Sequence, residues 1–220
     1  MGGFSLKNIN FNKAQVAPVV AEFLGTAILV MVAIVMTNTT SVSYFVATSL
    51  AIALGVIALF FGPVSGAHVN PGVTFGMWTA RKIGTLRAVA YIAAQLLGAL
   101  ASWQLFQYLV DKPLPAKSTG FTTPIFVAEL VGTAILAMGL TAAMSRAYDA
   151  LQTAFTVGAA IFSGVLVASI ASAGYINPAI ALGVRNFNGV YILGPLVGGL
   201  IGVNIYSMLF APDKAVSKKK

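Results

Sequence analysis

Ser65-Gly66-Ala67-His68-Val69-Asn70-Pro71-Gly72-Val73 recurs, altered, as Ser172-Ala173-Gly174-Tyr175-Ile176-Asn177-Pro178-Ala179-Ile180. Each copy sets an Asn-Pro-small triplet in an apolar stretch, where a polar amide and a helix breaker are both costly. The triplet reads as the start of a short helix. Asn is a good N-cap, and Pro suits the first helical position, where its missing N–H is not needed. A helix starting at membrane depth leaves orphan N–H groups and a positive dipole end there. Irregular backbone at that depth is tolerated only when buried in protein or lining a water-filled cavity. Two such stretches imply a pore with a polar centre.

The surrounding composition is that of a bilayer protein. Of 220 residues, 58% are hydrophobic and 8% charged, against roughly 25% charged in an ordinary soluble domain. Six long apolar segments run over about 16–37, 43–62, 86–109, 124–145, 152–172 and 190–210. Each is long enough to span at roughly 20 residues. Two shorter ones, about 70–80 and 177–186, follow the Asn-Pro pairs. The first apolar run is too long for a signal-peptide core and reads as a span. Cysteine is absent, which excludes disulfides and thiolate chemistry. No nucleotide, metal or nucleophile constellation is present, so no enzyme and no cofactor is expected.

The net charge of +8 reads as topology rather than nucleic-acid binding. With the N-terminus inside, Lys7, Lys13, Arg81, Lys82, Arg87, Arg146, Lys214, Lys218, Lys219 and Lys220 are cytoplasmic, and only Lys112, Lys117 and Arg185 face out. Ten against three is a positive-inside bias that puts both termini in the cytoplasm.

The chain also repeats itself. Ala21-Glu22-Phe23-Leu24-Gly25-Thr26-Ala27-Ile28-Leu29 matches Ala128-Glu129-Leu130-Val131-Gly132-Thr133-Ala134-Ile135-Leu136, and Glu22 to Glu129 is 107 positions, as is Asn70 to Asn177. Two halves follow, about 14–110 and 124–212, joined by a Pro- and Gly-bearing linker at about 111–123 within a single domain, 1–220. Three spans per half is an odd number, so the halves insert in opposite senses, with the functional site expected at midplane between them. Each Asn then caps its own helix and keeps amide N–H donors for the lumen.

These residues resemble the aquaporin and glycerol-facilitator family, the major intrinsic proteins. The resemblance is carried by Ser-Gly-Ala-His-Val-Asn-Pro at 65–71, Asn-Pro-Ala at 177–179 and both Glu-x-x-x-Thr copies. Tyr91-Ile92-Ala93-Ala94-Gln95-Leu96-Leu97-Gly98-Ala99 and Gly194-Pro195-Leu196-Val197-Gly198-Gly199 add to it. It covers nearly the whole chain. It implies an all-α membrane protein, a right-handed bundle of six transmembrane helices plus two re-entrant half-helices. It also implies passive conduction of water and small neutral solutes, a homotetramer in the bilayer with one pore per protomer, and no cofactor.

The chain departs from that family in places. Gly72 replaces the usual Ala, a small-for-small change. Family spacing assigns the outer selectivity filter to Leu50, Val165, Gly174 and Ile180. Ile180 stands where the family has Arg, and Val165 where many strict water channels have His. Gly174, with no aromatic at position 50, is expected to widen the constriction. Ala181 and Arg185 match the acidic and basic positions of glycerol facilitators only by half.

Other residues keep two readings. Glu22 and Glu129 are a proton relay, or scaffolds that accept hydrogen bonds from the folded-in loop of their own half. The repeat favours the scaffold, which is needed twice. Thr26 and Thr133 lie one turn on and belong to the same group. His68 is a gate, or it packs in the first loop. Tyr175 projects into the outer mouth, or it fills the space of the missing Arg. Arg185 reaches back to the filter, or it lies on the outer surface. The rivals to a passive pore are a proton-coupled transporter and a non-conducting scaffold closed by its apolar constriction.

Overall fold

The computed structural model describes residues 13–212 except Ala147. Lys7, Lys214, Lys218, Lys219 and Lys220 therefore lie outside the described residues. The described chain is all helical: α1 (Lys13–Thr39), α2 (Ser43–Ser65), α3 (Pro71–Thr79), α4 (Thr85–Val110), α5 (Thr123–Ser145), α6 (Ala150–Ala168), α7 (Pro178–Gly183) and α8 (Gly189–Leu209). Six of these are long and apolar enough to cross a membrane. Their outer faces carry large apolar side chains such as Ile52, Phe60 and Phe155, each more than 60% exposed.

The two halves interlock. Within them α1 packs on α2 and α4, and α5 on α6 and α8; between them α2 lies against α6. Each short helix crosses to the third span of the other half, α3 onto α8 and α7 onto α4. Backbones meet closely where these elements cross. A methyl group added at Gly98 would meet Phe23 O at 2.5 Å, and one at Gly198 would collide with Leu130 O. The Gly194, Gly198 and Gly202 ladder faces α5, and Gly199 faces the carbonyl of Gly72.

These contacts refine the repeat. Phe23 and Leu130 are 107 positions apart, but the glycines that meet them, Gly98 and Gly198, are 100 apart. The second half has lost seven residues between its Asn-Pro pair and its third span. Part of that loss is α7 itself, with 6 residues against 9 in α3.

Two expected boundaries move. The segment expected to run to 172 stops as a helix at Ala168; beyond it the N–H groups of Ile170 and Ala171 turn to the i−3 carbonyls of Val167 (3.3 Å) and Ala168 (3.2 Å), which tightens the last turn. The short segment expected to reach 186 ends at Gly183. There Arg185 takes left-handed backbone (φ 59) and Asn186 N–H closes onto Ala181 O at 2.8 Å.

The close crossings are testable. Gly199→Ala puts a methyl group into a backbone carbonyl and is expected to cost roughly 1–3 kcal/mol, the usual penalty of overpacking. Gly120→Ala, which meets nothing within 4 Å, should leave stability unchanged. Thermal unfolding in detergent, followed by tryptophan fluorescence, separates the two.

Candidate functional site

The centre is built from two strained loops. α2 ends at Ser65, and Gly66 caps it with left-handed backbone (φ 91), its N–H on Gly62 O. Val69 and Ile176, the residues before the two Asn, also have positive φ, 41 and 44. A β-branched residue rarely adopts that region, and holding one there costs on the order of 1–3 kcal/mol.

A buried carboxylate holds each loop. Glu22 on α1 is 0% exposed. Its Oε1 accepts from the Ser65 hydroxyl (2.7 Å) and His68 N–H (2.9 Å), and its Oε2 from Val69 N–H (2.7 Å) and the Gln95 amide (2.8 Å). Glu129 on α5, also 0% exposed, accepts from the Ser172 hydroxyl (2.5 Å), Tyr175 N–H (3.0 Å) and Ile176 N–H (2.6 Å). An ionised carboxylate supplies acceptors only, which matches sites where every neighbour is a donor.

The two Asn tie the halves together. Asn70 Oδ1 accepts from Gly72 N–H at 2.8 Å, and Asn177 Oδ1 from Ala179 N–H at 2.9 Å. Pro71 and Pro178 follow at the first helical position. Each amide nitrogen then reaches across, Asn70 Nδ2 to Ile176 O and Asn177 Nδ2 to Val69 O, both at 2.9 Å. This corrects the expectation that both amide donors stay free for a lumen: one N–H of each Asn goes to the opposite half. No local pattern encodes this pairing, which depends on the two loops meeting head on.

The halves differ around this frame. In the first, Gln95 Nε2 also donates to Thr74 Oγ1 (2.8 Å), and His68 Nδ1 lies 3.2 Å from the same hydroxyl. The His68 ring packs edge-on against Tyr91 at 5.5 Å. Gln95 stands in the sequence only as part of the family resemblance. The available signal was an uncharged amide in the middle of an apolar span, which needs a partner. In the second half Thr133 Oγ1 donates to Glu129 O (2.7 Å) and Ile176 O (3.1 Å). Thr26 was expected to act with Glu22, but its hydroxyl has no hydrogen-bond partner.

Two cavities border the two loops. One, about 250 Å³ at the linker end, is bordered by Thr37, Ser43, Lys117, Val165, Ser172 and Tyr175. The other, about 340 Å³ at the opposite end, is bordered by Ala58, Gly66, Leu140, Met144, Tyr148 and Thr153. Leu50, Val165 and Ile180 lie deep in the apolar core at 2%, 1% and 1% exposure, so water barely reaches them. Gly174 was expected to widen this region. Instead a Cβ there would meet Ser169 Oγ at 2.8 Å and Val165 O at 3.0 Å; the glycine admits the end of α6 and leaves no gap.

Arg185 does not reach the four filter positions. Its guanidinium donates to Leu114 O at 2.6 Å and stacks 4.6 Å over Trp103. Tyr175 packs its ring on Tyr191 at 4.6 Å, and its hydroxyl accepts from Asn186 at 3.4 Å.

The family model of the major intrinsic proteins matches residues 6–206. The chain belongs to the major intrinsic protein family. Aquaporin-1 of Mus musculus is 33% identical over 223 residues, with 88% of this chain and 82% of that protein covered. Aquaporin-5 of Rattus norvegicus is 31% identical over 217 residues, with 89% and 81% covered. Among solved structures, the aquaglyceroporin from Plasmodium falciparum superimposes with a TM-score of 0.74 at 22% identity, covering 90% of this chain and 98% of that one; that likeness establishes the shared fold. This major intrinsic protein is thus an integral, multi-pass membrane channel and not an enzyme.

Two outcomes check the central frame. Glu22→Gln or Glu129→Gln puts an amide N–H₂ against donors and should cost roughly 2–5 kcal/mol, the loss of charge-assisted bonds plus unsatisfied N–H groups. Folded yield and melting temperature should fall while the pH dependence of transport stays put; the reverse pattern would indicate a relay. Asn177→Leu removes a cap worth roughly 1 kcal/mol and the bond to Val69 O together. Size-exclusion yield and stopped-flow water flux should both drop.

Proposed function

We propose that the protein is a passive channel for water and small neutral solutes such as glycerol. Its pore would be centred on Asn70-Pro71-Gly72 and Asn177-Pro178-Ala179, with the selectivity filter at Leu50, Val165, Gly174 and Ile180. The observation that carries this reading is the crossed pairing of the two Asn amides between vestibules at opposite ends of the bundle. Two short helices starting at one centre disfavour cations and hydronium there. This is the general account of aquaporin-type pores, applied to these residues. An apolar filter adds a desolvation barrier to any ion.

The rest of the proposal follows the family and the charge pattern. The chain works as one channel domain of two inverted halves, about 14–110 and 124–212, in a homotetramer in the cell membrane, with both termini cytoplasmic. Proton-coupled transport has less support, because the protein's own donors already occupy both buried carboxylates. A non-conducting scaffold is the second reading, favoured by the near-zero exposure of Leu50, Val165 and Ile180, since an apolar ring can close by dewetting.

Stopped-flow light scattering on proteoliposomes, with water and glycerol gradients compared, tests the proposal. Ile180→Arg should cut glycerol flux by about tenfold or more and leave water flux within a few fold, because it restores a charged donor to the constriction. A wild type that passes neither solute, with water flux rescued by Ile180→Arg, would establish the scaffold reading instead.

A further inference from the structure

Both short helices end in the same way. The residue that closes each is an arginine in left-handed backbone, Arg81 at φ 56 and Arg185 at φ 59. The next N–H folds back in both cases, Lys82 onto Met77 O and Asn186 onto Ala181 O, each at 2.8 Å. Glycine is the usual residue at such a position. Arg185 has protein partners for its guanidinium, the Leu114 carbonyl and the Trp103 ring. Among the described residues Arg81 has none, the side chains of Lys82 and Arg87 make no hydrogen bond, and no ion pair joins any of the three.

These three cations surround one turn at the end of the bundle opposite the linker. Arg81 and Lys82 border a depression of about 660 Å³, and Arg87 borders an adjoining one of about 580 Å³; the two share Gly84 and Thr85. Among the described residues no acid lines either one. The Trp78 indole lies at the first depression, its N–H on Thr85 Oγ1 at 3.0 Å and its ring 39% exposed. Tryptophan with one wet end favours the headgroup level of a bilayer. At the start of α4 beside them, Leu86 and Val89 are 85% and 60% exposed. Cationic side chains thus pass directly into an outward apolar surface. A soluble anion would match only the first part, whereas an anionic phospholipid matches both.

We propose that the α3–α4 turn is a binding site for an anionic phospholipid. Arg81, Lys82 and Arg87 engage the headgroup phosphate, and Leu86 and Val89 lie along an acyl chain. Arginine's planar fork suits two phosphate oxygens at once, and three unpaired cations select a net-negative headgroup over a zwitterionic one. The site is separate from the pore and does not rest on what the pore conducts.

The test uses the full chain purified in detergent, with dioleoyl phosphatidylglycerol or dioleoyl phosphatidylcholine added. Retained lipid is counted by native mass spectrometry, and stability is followed by melting temperature. Phosphatidylglycerol should be retained and should raise the melting temperature above that with phosphatidylcholine. Each of Arg81→Gln, Lys82→Gln and Arg87→Gln should weaken retention about fivefold, the effect of roughly one cation near a headgroup, and the triple variant should abolish the preference. Lys112→Gln with Lys117→Gln, at the other end, should leave it intact, and Arg81→Lys should keep most of it. Glycerol 3-phosphate at equal concentration should give no stabilisation. The proposal is overturned if the triple variant retains phosphatidylglycerol like the wild type, or if the Lys112 and Lys117 pair loses it equally. Full stabilisation by glycerol 3-phosphate would likewise replace the lipid with a soluble phosphate ligand. If the triple variant does not fold, the single variants decide by the same criteria.

Discussion

Val69 and Ile176 each donate an N–H to a carboxylate of their own half and accept an amide N–H of the opposite half through the carbonyl. These four hydrogen bonds run through two residues that are held in left-handed backbone. The strain is on the order of 1–3 kcal/mol per residue. Hydrogen bonds to a charged acceptor contribute about 1.5–3 kcal/mol each, and Glu22 accepts four of them. The carboxylate therefore outweighs the strain locally. The crossed amides then make each loop's shape a condition for the other, so the centre forms from both halves or from neither.

That dependence accounts for the close backbone crossings around it. α3 reaches the centre only by lying on α8, and α7 only by lying on α4. Gly72, Gly76 and Gly199 bring α3 against α8, with carbonyl oxygens where side chains would otherwise stand. In a bilayer no hydrophobic force drives helices together, and small residues that permit close van der Waals contact supply the attraction. The glycine ladders and the buried acids serve one purpose: each short helix is fixed from outside by packing and from inside by hydrogen bonds.

Where the halves diverge, polar and apolar solutions replace one another. Tyr91 and Tyr191 occupy matching places on the third spans. Tyr91 meets His68, whereas Tyr191 meets Tyr175. Gln95 gives Glu22 a fourth donor, while the matching residue on α8, Pro195, offers none. A similar substitution bears on the proposed filter. Ile180 carries no charge, and the nearest arginine along the chain, Arg185, is bound to the linker carbonyl of Leu114 and to the Trp103 ring on α4. The linker's backbone is tied down in return, with Lys117 N–H on Arg185 O at 2.7 Å. Arg185 thus anchors the linker.

The sequence by itself determined the membrane class, the six spans, the two short helices and their Asn-Pro starts. Each of these rests on local chemistry: apolar run length, the capping ability of Asn and the fixed φ of Pro. It also determined the inverted repeat, because an odd number of spans per half admits no other insertion. Only the tertiary structure decided where polar atoms find partners. One donor of each Asn amide crosses to a carbonyl 106 or 108 residues away, a pairing no local pattern encodes. Gln95, read from its span alone, is an isolated polar residue and becomes a ligand of Glu22 only when α4 lies on α1. Thr26 and Thr133 occupy equivalent positions in sequence, yet only Thr133 reaches the loop carbonyl. Gly174 looked like open space and is a contact with α6. In each case the missing information was the relative placement of elements, set by helix crossings that depend on backbone contact across the whole bundle.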